Sequence, residues 1–585
     1  MFKTIIFKKG ENKEMGKSKI CITAFLTAAL SMNIYAAPKD PVLRDPMREI
    51  ENTQRLLELR QKQEYINEQL KYPLRHEQLE EKDGIEELEE GKKYKFKVIK
   101  LQNAKLFKKE AEVVIKEYIN KEMSKNDIYE LLTRLSNIYL ERGYTTTLVT
   151  LKSGNVKKGE LVYEVKDGRV RDIKMLNRET TFMDKVKIKG AFPIKKNDFL
   201  TTQDIDQGLE NMNIGGYNNT MEISATEEYG LSDILIEENY RSTGFSFGID
   251  DSGYKDKGRN KVNLNFSQDN LLGINDRFTF NYIERLTKDR DLDRESNYDV
   301  GYSIPFGYWK LSYNYNVGDT FNSAPGHNII HEIENRSEKH KLKLSRVIAR
   351  GQYYKSTVHA GVVYKDNKNI VDGVKVDVGS KNYTNTLLGI DYTDRLFGGT
   401  FFGMLEYERG VKWFGAEGDD KHADPSTLPA KREYDKININ MDWMKMFGVK
   451  DHTFQYRMGI GGSYSEDRLL SANQFTMGDE YTVRGFKESS VAGNKGIYMN
   501  NTITYMGTRD MNKYLAMFKP FIGLDGGISR DKDLPKDDKI LGMALGLKFS
   551  AGGLNGSFTY GIPLVWADGM PKEDNVIYFN MNYYL

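Results

Sequence analysis

The sequence contains a single cysteine in 585 residues. This excludes a disulfide framework or a cysteine-based metal site within the chain. The formal net charge is only +2, which gives no strong electrostatic argument for nucleic-acid binding. Beyond the N-terminus no stretch is apolar enough to form a transmembrane helix. These absences leave a multidomain folded protein, and they still allow a chain that crosses a membrane with β-strands.

Aromatic residues are what the sequence has in excess. They make up 12% of the chain, with 36 Tyr and 28 Phe, although hydrophobic residues reach only 39% and charged residues 29%. A large transmembrane barrel has this composition, because only alternate strand residues face lipid. Tyrosine also suits the membrane interface, where one end of the ring is wet and the other is apolar.

The N-terminal segment predicts a secretory signal peptide over residues 1–37. Two lysines precede an apolar run at 20–34, which ends in small residues that allow cleavage after Ala36 or Ala37. The run is too short for a stable transmembrane helix, and it contains Cys21. The mature chain is therefore expected to leave the cytoplasm without a cysteine.

Residues 45–71 predict one long helix. Leucine and isoleucine recur at helical spacing, Pro46 fits the first turn, and Pro73 ends the pattern. The helix is polar on almost every face, so it should lie in water, in a polar lumen or against a partner. Residues 72–92 are strongly acidic and are interpreted as a solvated linker.

Two small α/β units follow, over residues 93–166 and 167–239. In each unit the pattern predicts the order strand, helix, helix, strand, strand, which is an internal repeat. In the first unit the helices are expected near 106–121 and 125–142, and a strand is expected at 145–151.

Residues 240–585 lose the helical period and alternate with the period of a strand. In 541–549, large apolar residues at odd positions alternate with small or polar ones at even positions. A soluble β-sandwich would show the same alternation. The signal peptide favours a transmembrane barrel, and a segment of this length allows about 16 strands.

The connections between these strands alternate between short and long. Residues 270–276 and 305–308 are short, whereas 251–259, 285–296 and 318–337 are longer and polar. Outer-membrane barrels have this asymmetry, with short periplasmic turns and longer external loops.

Two sets of motifs point to a known family. Residues 143–145 (Gly-Tyr-Thr) with 159–165, and 191–193 (Ala-Phe-Pro) with 204–210, resemble two successive POTRA domains. The sharpest motif is Val483, Arg484, Gly485 and Phe486. Together these features resemble the two-partner secretion transporters, also called haemolysin secretion/activation proteins.

The resemblance implies that residues 475–495 form a loop folded back into the barrel. In the family, the loop arginine pairs with an aspartate on the barrel wall, and Asp525 is the matching residue here. An arginine in a confined lumen needs a partner, and a carboxylate can accept two bonds from its planar fork. Without the family motif, Arg484 would be taken for an exposed loop residue and Asp525 for part of an Asp-Gly turn.

The chain departs from the family pattern at two places. After the loop motif the family usually has Asn-Glu-Leu, where this chain has Asn500, Asn501 and Thr502. The last residue is usually aromatic, and here it is Leu585. The second departure could alter how the barrel-assembly machinery, an expected partner during biogenesis, reads the terminus.

The function implied by the resemblance is secretion of one partner protein across the outer membrane of a Gram-negative bacterium, without ATP. The POTRA units would capture an unfolded exoprotein of the haemolysin or adhesin type in the periplasm by adding its chain to a sheet edge. The predicted plug helix at 45–71 would fill the resting lumen. The candidate client groove consists of Tyr144, Thr146, Leu148 and Thr150.

Three other functions remain as alternatives. An outer-membrane insertase shares the barrel and the loop motif but usually has more POTRA units and no leader helix. A passive porin would not need the periplasmic repeat, and an outer-membrane enzyme would need a catalytic constellation that the sequence does not show. His327 and His331 do not match a known metal motif, so no metal, no cofactor and no catalytic residue is predicted.

Overall fold

The computed structural model describes residues 46–70, 92–155, 158–228, 230–255, 257–325, 330–376, 380–419, 430–531 and 536–585. The predicted signal peptide and nearly all of the predicted acidic linker lie outside these residues. No helix within the described ranges is both long enough and apolar enough to cross a membrane.

The first described element is helix α1 (Pro46–Leu70), within one residue of its predicted bounds at both ends. At about 1.5 Å per residue a helix of this length spans the thickness of a membrane. Its sequence is polar on most faces, so it cannot be a core helix of a soluble domain.

The first α/β unit is built on a three-stranded sheet in the order β2-β5-β4. Two helices pack on one face of this sheet, and the side chains of Leu131 and Leu135 in the second helix are fully buried. Ser124 begins the second helix, where its side chain and that of Asp127 form a reciprocal capping box. The elements are β1 (Tyr94–Lys95), β2 (Val98–Gln102), α2 (Lys108–Lys116), β3 (Glu122–Met123), α3 (Lys125–Leu140), β4 (Leu148–Asn155) and β5 (Glu160–Lys166).

The second α/β unit repeats this arrangement with the sheet order β6-β8-β7. Its middle strand again pairs in parallel with the first strand and antiparallel with the third. The elements are β6 (Arg169–Met175), α4 (Phe182–Ala191), α5 (Thr202–Met212), β7 (Thr220–Ala225) and β8 (Leu231–Glu237).

Sixteen long strands in the described part of the chain form a closed antiparallel barrel, which confirms the predicted fold. The barrel closes where β9 pairs with β27, from Asp250 opposite Asn580 to Ser246 opposite Tyr584. The terminal Leu585 donates its backbone N–H to the carbonyl oxygen of Phe245 at 2.9 Å. The long strands are β9 (Thr243–Asp250), β10 (Lys261–Asp269), β11 (Arg277–Arg285), β12 (Asp293–Phe306), β13 (Trp309–Pro325), β14 (Ile330–Arg350), β15 (Lys355–Val371), β17 (Lys381–Leu396), β18 (Gly399–Val411), β19 (Asp435–Val449), β20 (His452–Tyr464), β23 (Lys495–Thr508), β24 (Phe518–Arg530), β25 (Asp538–Ala551), β26 (Leu554–Val565) and β27 (Val576–Tyr584).

Three short strands lie at loops on the side away from the α/β units. Strand β16 (Val374–Lys375) extends the hairpin that follows β15. Strands β21 (Phe475–Met477) and β22 (Val491–Gly493) pair with each other inside the connection between β20 and β23.

Two sequence predictions differ from the structure. The expected polar loop at 318–337 is mostly strand, because β13 continues to Pro325 and β14 begins at Ile330. The expected strand at 145–151 is shifted, since β4 begins at Leu148 and the residues just before it form a turn.

Candidate functional site

Helix α1 lies inside the barrel, where polar contacts hold its middle section. Gln61 Nε2 donates to Asp299 Oδ1 at 2.9 Å, and the Tyr65 hydroxyl donates to Asp391 Oδ2 at 2.9 Å. Glu58 forms an ion pair with Lys339 on β14. A polar helix is therefore matched to a polar lumen wall.

The two ends of α1 are held differently from its middle. At the end farther from the α/β units, Glu49 pairs with the buried Arg285, with Nη1 3.4 Å from Oε2. Nearer the α/β units, Ile66 and Leu70 pack against Phe402, which is fully buried. The helix thus has a charged contact at one end and an apolar contact at the other.

The connection from residue 465 to residue 494 folds back into the barrel as a second insert. Its β21–β22 hairpin leads to a tip at which the Val483 and Phe486 side chains are fully buried. They pack with Met477 of the hairpin and with Ile540 on the barrel wall. The structure therefore places the predicted loop motif inside the barrel and out of solvent.

Arg484 and Asp525 meet at this tip. Arg484 Nε lies 2.5 Å from Asp525 Oδ2, and Arg484 Nη2 lies 2.7 Å from Oδ1, which is the planar two-bond arrangement. The Asp525 carboxylate also accepts hydrogen bonds from the backbone N–H groups of residues 484 and 501, at 3.1 and 3.2 Å. Asp525 is 1% exposed and lies within β24, not in a turn.

The residues that depart from the family pattern complete this pair. Arg484 Nη2 also donates to the Asn501 carbonyl oxygen and to Thr502 Oγ1, both at 3.0 Å. Asn500 Nδ2 donates to the carbonyl oxygen of Tyr481 in the loop, at 3.0 Å. Thr502 therefore adds a neutral side-chain acceptor to the pair. At the position of the family glutamate, the Asn501 side chain bonds instead to the Tyr456 hydroxyl and the Leu524 carbonyl oxygen.

Gly485 has a positive φ of 116°, and a Cβ added there would lie 3.0 Å from the backbone of Ile562. Both facts favour glycine at this position. The Tyr578 hydroxyl accepts a hydrogen bond from Gly485 N–H at 3.1 Å and donates one to the Phe486 carbonyl oxygen at 2.5 Å. The family motif is thus fixed to β27 as well as to β24.

Sequence reasoning did not find two further carboxylates that hold the loop. Glu573 accepts hydrogen bonds from the backbone N–H groups of residues 487–489 at 2.5 to 3.0 Å. Asp479 accepts from Arg55 of helix α1 at 2.6 Å. Neither carries a motif or a period in the sequence. The second contact joins the two inserts of the lumen.

A cavity of about 870 Å³ remains beside α1, lined by barrel strands that include β12 to β15 and β17 to β20, by the inserted connection and by the second α/β unit. Four lysines project into it from alternate positions of two neighbouring strands. The lining is therefore polar and predominantly basic on this side. These four are Lys310, Lys339, Lys341 and Lys343.

The second α/β unit closes part of the adjoining barrel mouth. Arg350, whose side chain is 1% exposed, donates to Gln207 Oε1 and to Glu210 Oε2, both at 2.6 Å. Lys355 Nζ lies 3.0 Å from Glu210 Oε1. Helix α5 is thereby fixed against the barrel rim and contributes side chains to the cavity lining.

The four candidate groove residues do not form one surface. Leu148 and Thr150 lie on β4, which within the described residues pairs with β5 alone and so forms a sheet edge. Tyr144 precedes the strand, and its ring packs 6.1 Å from that of Phe199 in the second unit. Thr146 lies in the turn, where it blocks any side chain at position 168. Two of the four residues therefore belong to the junction between the α/β units.

The described ranges contain no cluster of histidine, cysteine and acidic side chains that could hold a metal ion. His331 Nδ1 lies 2.7 Å from Asp372 Oδ2 in an exposed pair. His327 is outside the described residues.

Comparison with protein families agrees with this architecture. The family described as haemolysin secretion/activation protein ShlB/FhaC/HecB matches residues 230–549. A POTRA domain of the ShlB type matches residues 95–168, and a further POTRA domain matches 169–224. The chain belongs to the haemolysin secretion/activation protein family.

Proteins with similar sequences are named as outer-membrane or haemolysin transporters. Outer membrane transporter CdiB of Dickeya dadantii (strain 3937) is 27% identical over 79% of this chain and 81% of its own length. Hemolysin transporter protein HpmB of Proteus mirabilis is 28% identical over 65% of this chain and 66% of its own length. The solved structure of CdiB from Escherichia coli superposes with a TM-score of 0.81 at 24% identity, covering 94% of this chain and 100% of that chain.

The chain is an outer-membrane transporter of the two-partner secretion type, with its POTRA units in the periplasm. This assignment orients the barrel. The turns beside the second α/β unit lie on the periplasmic side, and the connection from 465 to 494 starts from the cell-surface side.

Proposed function

We propose that this transporter takes up an unfolded partner exoprotein of the haemolysin or adhesin type in the periplasm and passes it through the barrel lumen after helix α1 leaves. The observation that carries the proposal is the helix itself, which occupies the lumen through polar side-chain contacts such as Gln61 with Asp299. Water or an extended polypeptide can replace such contacts, so the helix is suited to be a removable plug.

Capture of the client is assigned to the edge of β4 beside helix α3. An extended chain can add to a sheet edge through backbone hydrogen bonds, which give affinity without a strict sequence. Leu148 and Thr150 are half-buried on this strand, so the client would meet a partly apolar edge. The two other groove candidates, Tyr144 and Thr146, would act by holding the two POTRA units together.

The loop motif is assigned the role of keeping the lumen in shape during passage. The Arg484–Asp525 pair is buried and fixes the loop tip to the wall. The contact of Arg55 with Asp479 would let the loop sense whether the helix is present. The plug helix would therefore respond to the client first and the inserted loop second.

The proposal includes the remaining parts of the chain. Residues 1–37 would direct export, 72–92 would link the plug helix (45–71) to the POTRA units (93–166 and 167–239), and 240–585 would form the barrel. Outer-membrane lipid and the barrel-assembly machinery would be its partners during biogenesis. The process needs no cofactor and no catalytic residue, and folding of the client outside the cell would provide direction.

A disulfide between helix and wall tests the plug directly. A Cβ added at Gly318 on β13 would lie 2.3 Å from Ile50 Cγ2 on α1, so an Ile50→Cys, Gly318→Cys pair is within reach of a disulfide. In a Cys21→Ser background, secretion of a partner encoded beside this gene should stop when the pair is oxidised and resume on reduction. A cysteine pair at Gly301 and Asn314, which face each other within the wall, controls for oxidation.

Either of two results would contradict the proposal. Secretion that continues although the helix is fully cross-linked would show that the client does not need the space that α1 occupies. If deletion of the transporter leaves secretion unchanged while other barrels fail to assemble, the insertase alternative replaces it.

A further inference from the structure

Helix α4 of the second POTRA unit lies along the periplasmic rim of the barrel. Near its end, the Gly190 carbonyl oxygen accepts a hydrogen bond from Gly307 N–H, at 2.8 Å, in the turn between β12 and β13. In its middle, the Lys187 carbonyl oxygen accepts from Asn275 Nδ2, at 2.8 Å, in the turn between β10 and β11. The helix is therefore held under two neighbouring turns.

Helices α4 and α5 of the second POTRA unit meet the rim at different places. Where the second POTRA unit lines the lumen cavity, its described lining residues come from α5 and the segment that follows, such as Gln207, Glu210 and Asn213. Helix α4 lies under the same rim without lining that cavity. Its exposed face is therefore not part of the lining of the lumen cavity.

The exposed face of α4 combines apolar and basic side chains. Phe182 is 77% exposed and Met183 is 49% exposed. Lys185 and Lys189 are also exposed, three and seven positions after Phe182, which places all three on one side of the helix. The opposite side is buried in the domain core.

This face continues the lipid-facing surface of the barrel. Phe306 is 64% exposed at the rim end of β12, on the opposite side of the strand from the cavity-lining Pro305. Leu271 and Leu272, 53% and 59% exposed, lie in the β10–β11 turn. Gly273, which directly follows this leucine pair, lies against Met183, since a Cβ added at Gly273 would lie 2.7 Å from Met183 Cε. Exposed apolar groups thus continue from barrel to helix without a polar gap at this contact.

We propose that the first turn of α4 inserts into the periplasmic leaflet of the outer membrane. Phe182 and Met183 would enter the boundary between headgroups and acyl chains. The ammonium groups of Lys185 and Lys189 would meet lipid phosphates, as in interfacial amphipathic helices. The lipid would thereby fix the second POTRA unit beneath the barrel, in addition to the contacts of α5 with the rim. This inference does not depend on which client the transporter exports.

Lipid fits this surface better than an exported chain does. The apolar face is continuous with a surface that is already in lipid, and it lies away from the lumen that a client must enter. A bilayer also satisfies both parts of the face at once, because its interface offers apolar chains and phosphates at adjacent depths.

Quenching of a fluorescent label by spin-labelled lipid tests the proposal on the full chain. In a Cys21→Ser background, NBD is attached at Phe182→Cys or Met183→Cys, and the protein is placed in liposomes of phosphatidylethanolamine and phosphatidylglycerol containing 5-doxyl lipid. Leu311→Cys on the lipid face of β13 serves as the lipid reference. Val113→Cys, 62% exposed on α2 of the first POTRA unit, serves as the aqueous reference.

We expect quenching at positions 182 and 183 to exceed that at position 113 at least twofold and to be stronger with 5-doxyl than with 12-doxyl lipid. Quenching equal to that at position 113 would overturn the proposal. A label that is unaffected by lipid but responds to added client would assign the face to the client instead. All four sites are exposed, so the labels should not prevent folding.

Discussion

Replacement of Asp525 by alanine should release the loop tip from the barrel wall while leaving the barrel closed. Asp525 accepts two bonds from the Arg484 guanidinium and two from backbone N–H groups. Without it, the guanidinium keeps the neutral acceptors on Asn501 and Thr502 but loses its counter-charge. The carboxylate is 1% exposed, so water cannot easily take its place.

Breaking a buried ion pair by removal of one partner costs about 3–5 kcal/mol. If this whole free energy is lost from docking of the loop onto the wall, the ratio of undocked to docked loop rises by about a hundredfold to a few thousandfold. About 1.4 kcal/mol corresponds to a factor of ten. Arg484→Ala should cost less, about 1–3 kcal/mol, because the Asp525 carboxylate retains its two backbone donors. The double variant should cost less than the sum of the two single variants.

Hydrogen exchange of residues 478–490 in the full-length protein measures this docking equilibrium. Asp442→Ala is a matched control, because Asp442 pairs with Arg457 elsewhere on the wall, at 2.7 Å, and does not contact the loop. Faster exchange in the loop with Asp525→Ala, and not with the control, is expected. Unchanged exchange, or effects of the two single variants that simply add, would refute the idea that the pair fixes the loop.

Two further predictions concern the POTRA units. Arg350→Ala should loosen the second unit from the rim, because it removes the buried partner of Glu210. A broader distance distribution between spin labels on the barrel and on this unit would show the effect, and Arg346→Ala, on the outer face of the same strand, should not produce it. In the same unit, hydrogen bonds from Arg171 lower the pKa of Asp233 to about 2. The contribution of this hydrogen-bonded pair to the folding stability of the unit is fully present above the usual carboxyl pKa near 4. It is lost as the pH falls through about 2 and Asp233 is protonated. The protection of the unit's amides, taken relative to the intrinsic exchange rate at each pH, should therefore fall below about pH 4, and Asp233→Asn should flatten that dependence; an unchanged pH profile in this variant would contradict the assignment.

The barrel was predictable where its strands cross lipid. There the outer face must be apolar and the inner face polar, so the period of two is visible in the sequence. The prediction failed at 318–337 because β13 and β14 extend beyond the membrane into water. Outward residues there are charged, such as Asp319, Arg336 and Glu338, and a strand that is polar on both faces has the composition of a loop.

The lumen was only partly predictable. The motif around Arg484 and its partner could be identified through family resemblance, since both lie in recognisable sequence contexts. The contacts of Glu573, Asp479 and Arg350 could not, because each joins segments far apart in the chain and none adds a period or spacing to the sequence. Such contacts depend on how the loops and POTRA units meet the barrel, which local pattern does not specify.

Release of the plug helix should be controlled by its two ends. The middle lies against a polar cavity, where an ion pair such as Glu58 with Lys339 contributes about 1 kcal/mol or less. The surface end has a buried charge contact at Arg285. The periplasmic end buries Ile66 and Leu70, and burial of each of these two side chains contributes about 1.5–3 kcal/mol. A client arriving from the periplasm meets the apolar end first, and an apolar segment of an unfolded chain can replace it there. Once that end is free, solvent-accessible polar contacts of the middle can be replaced one at a time, so the largest remaining barrier is the buried charge contact at the surface end.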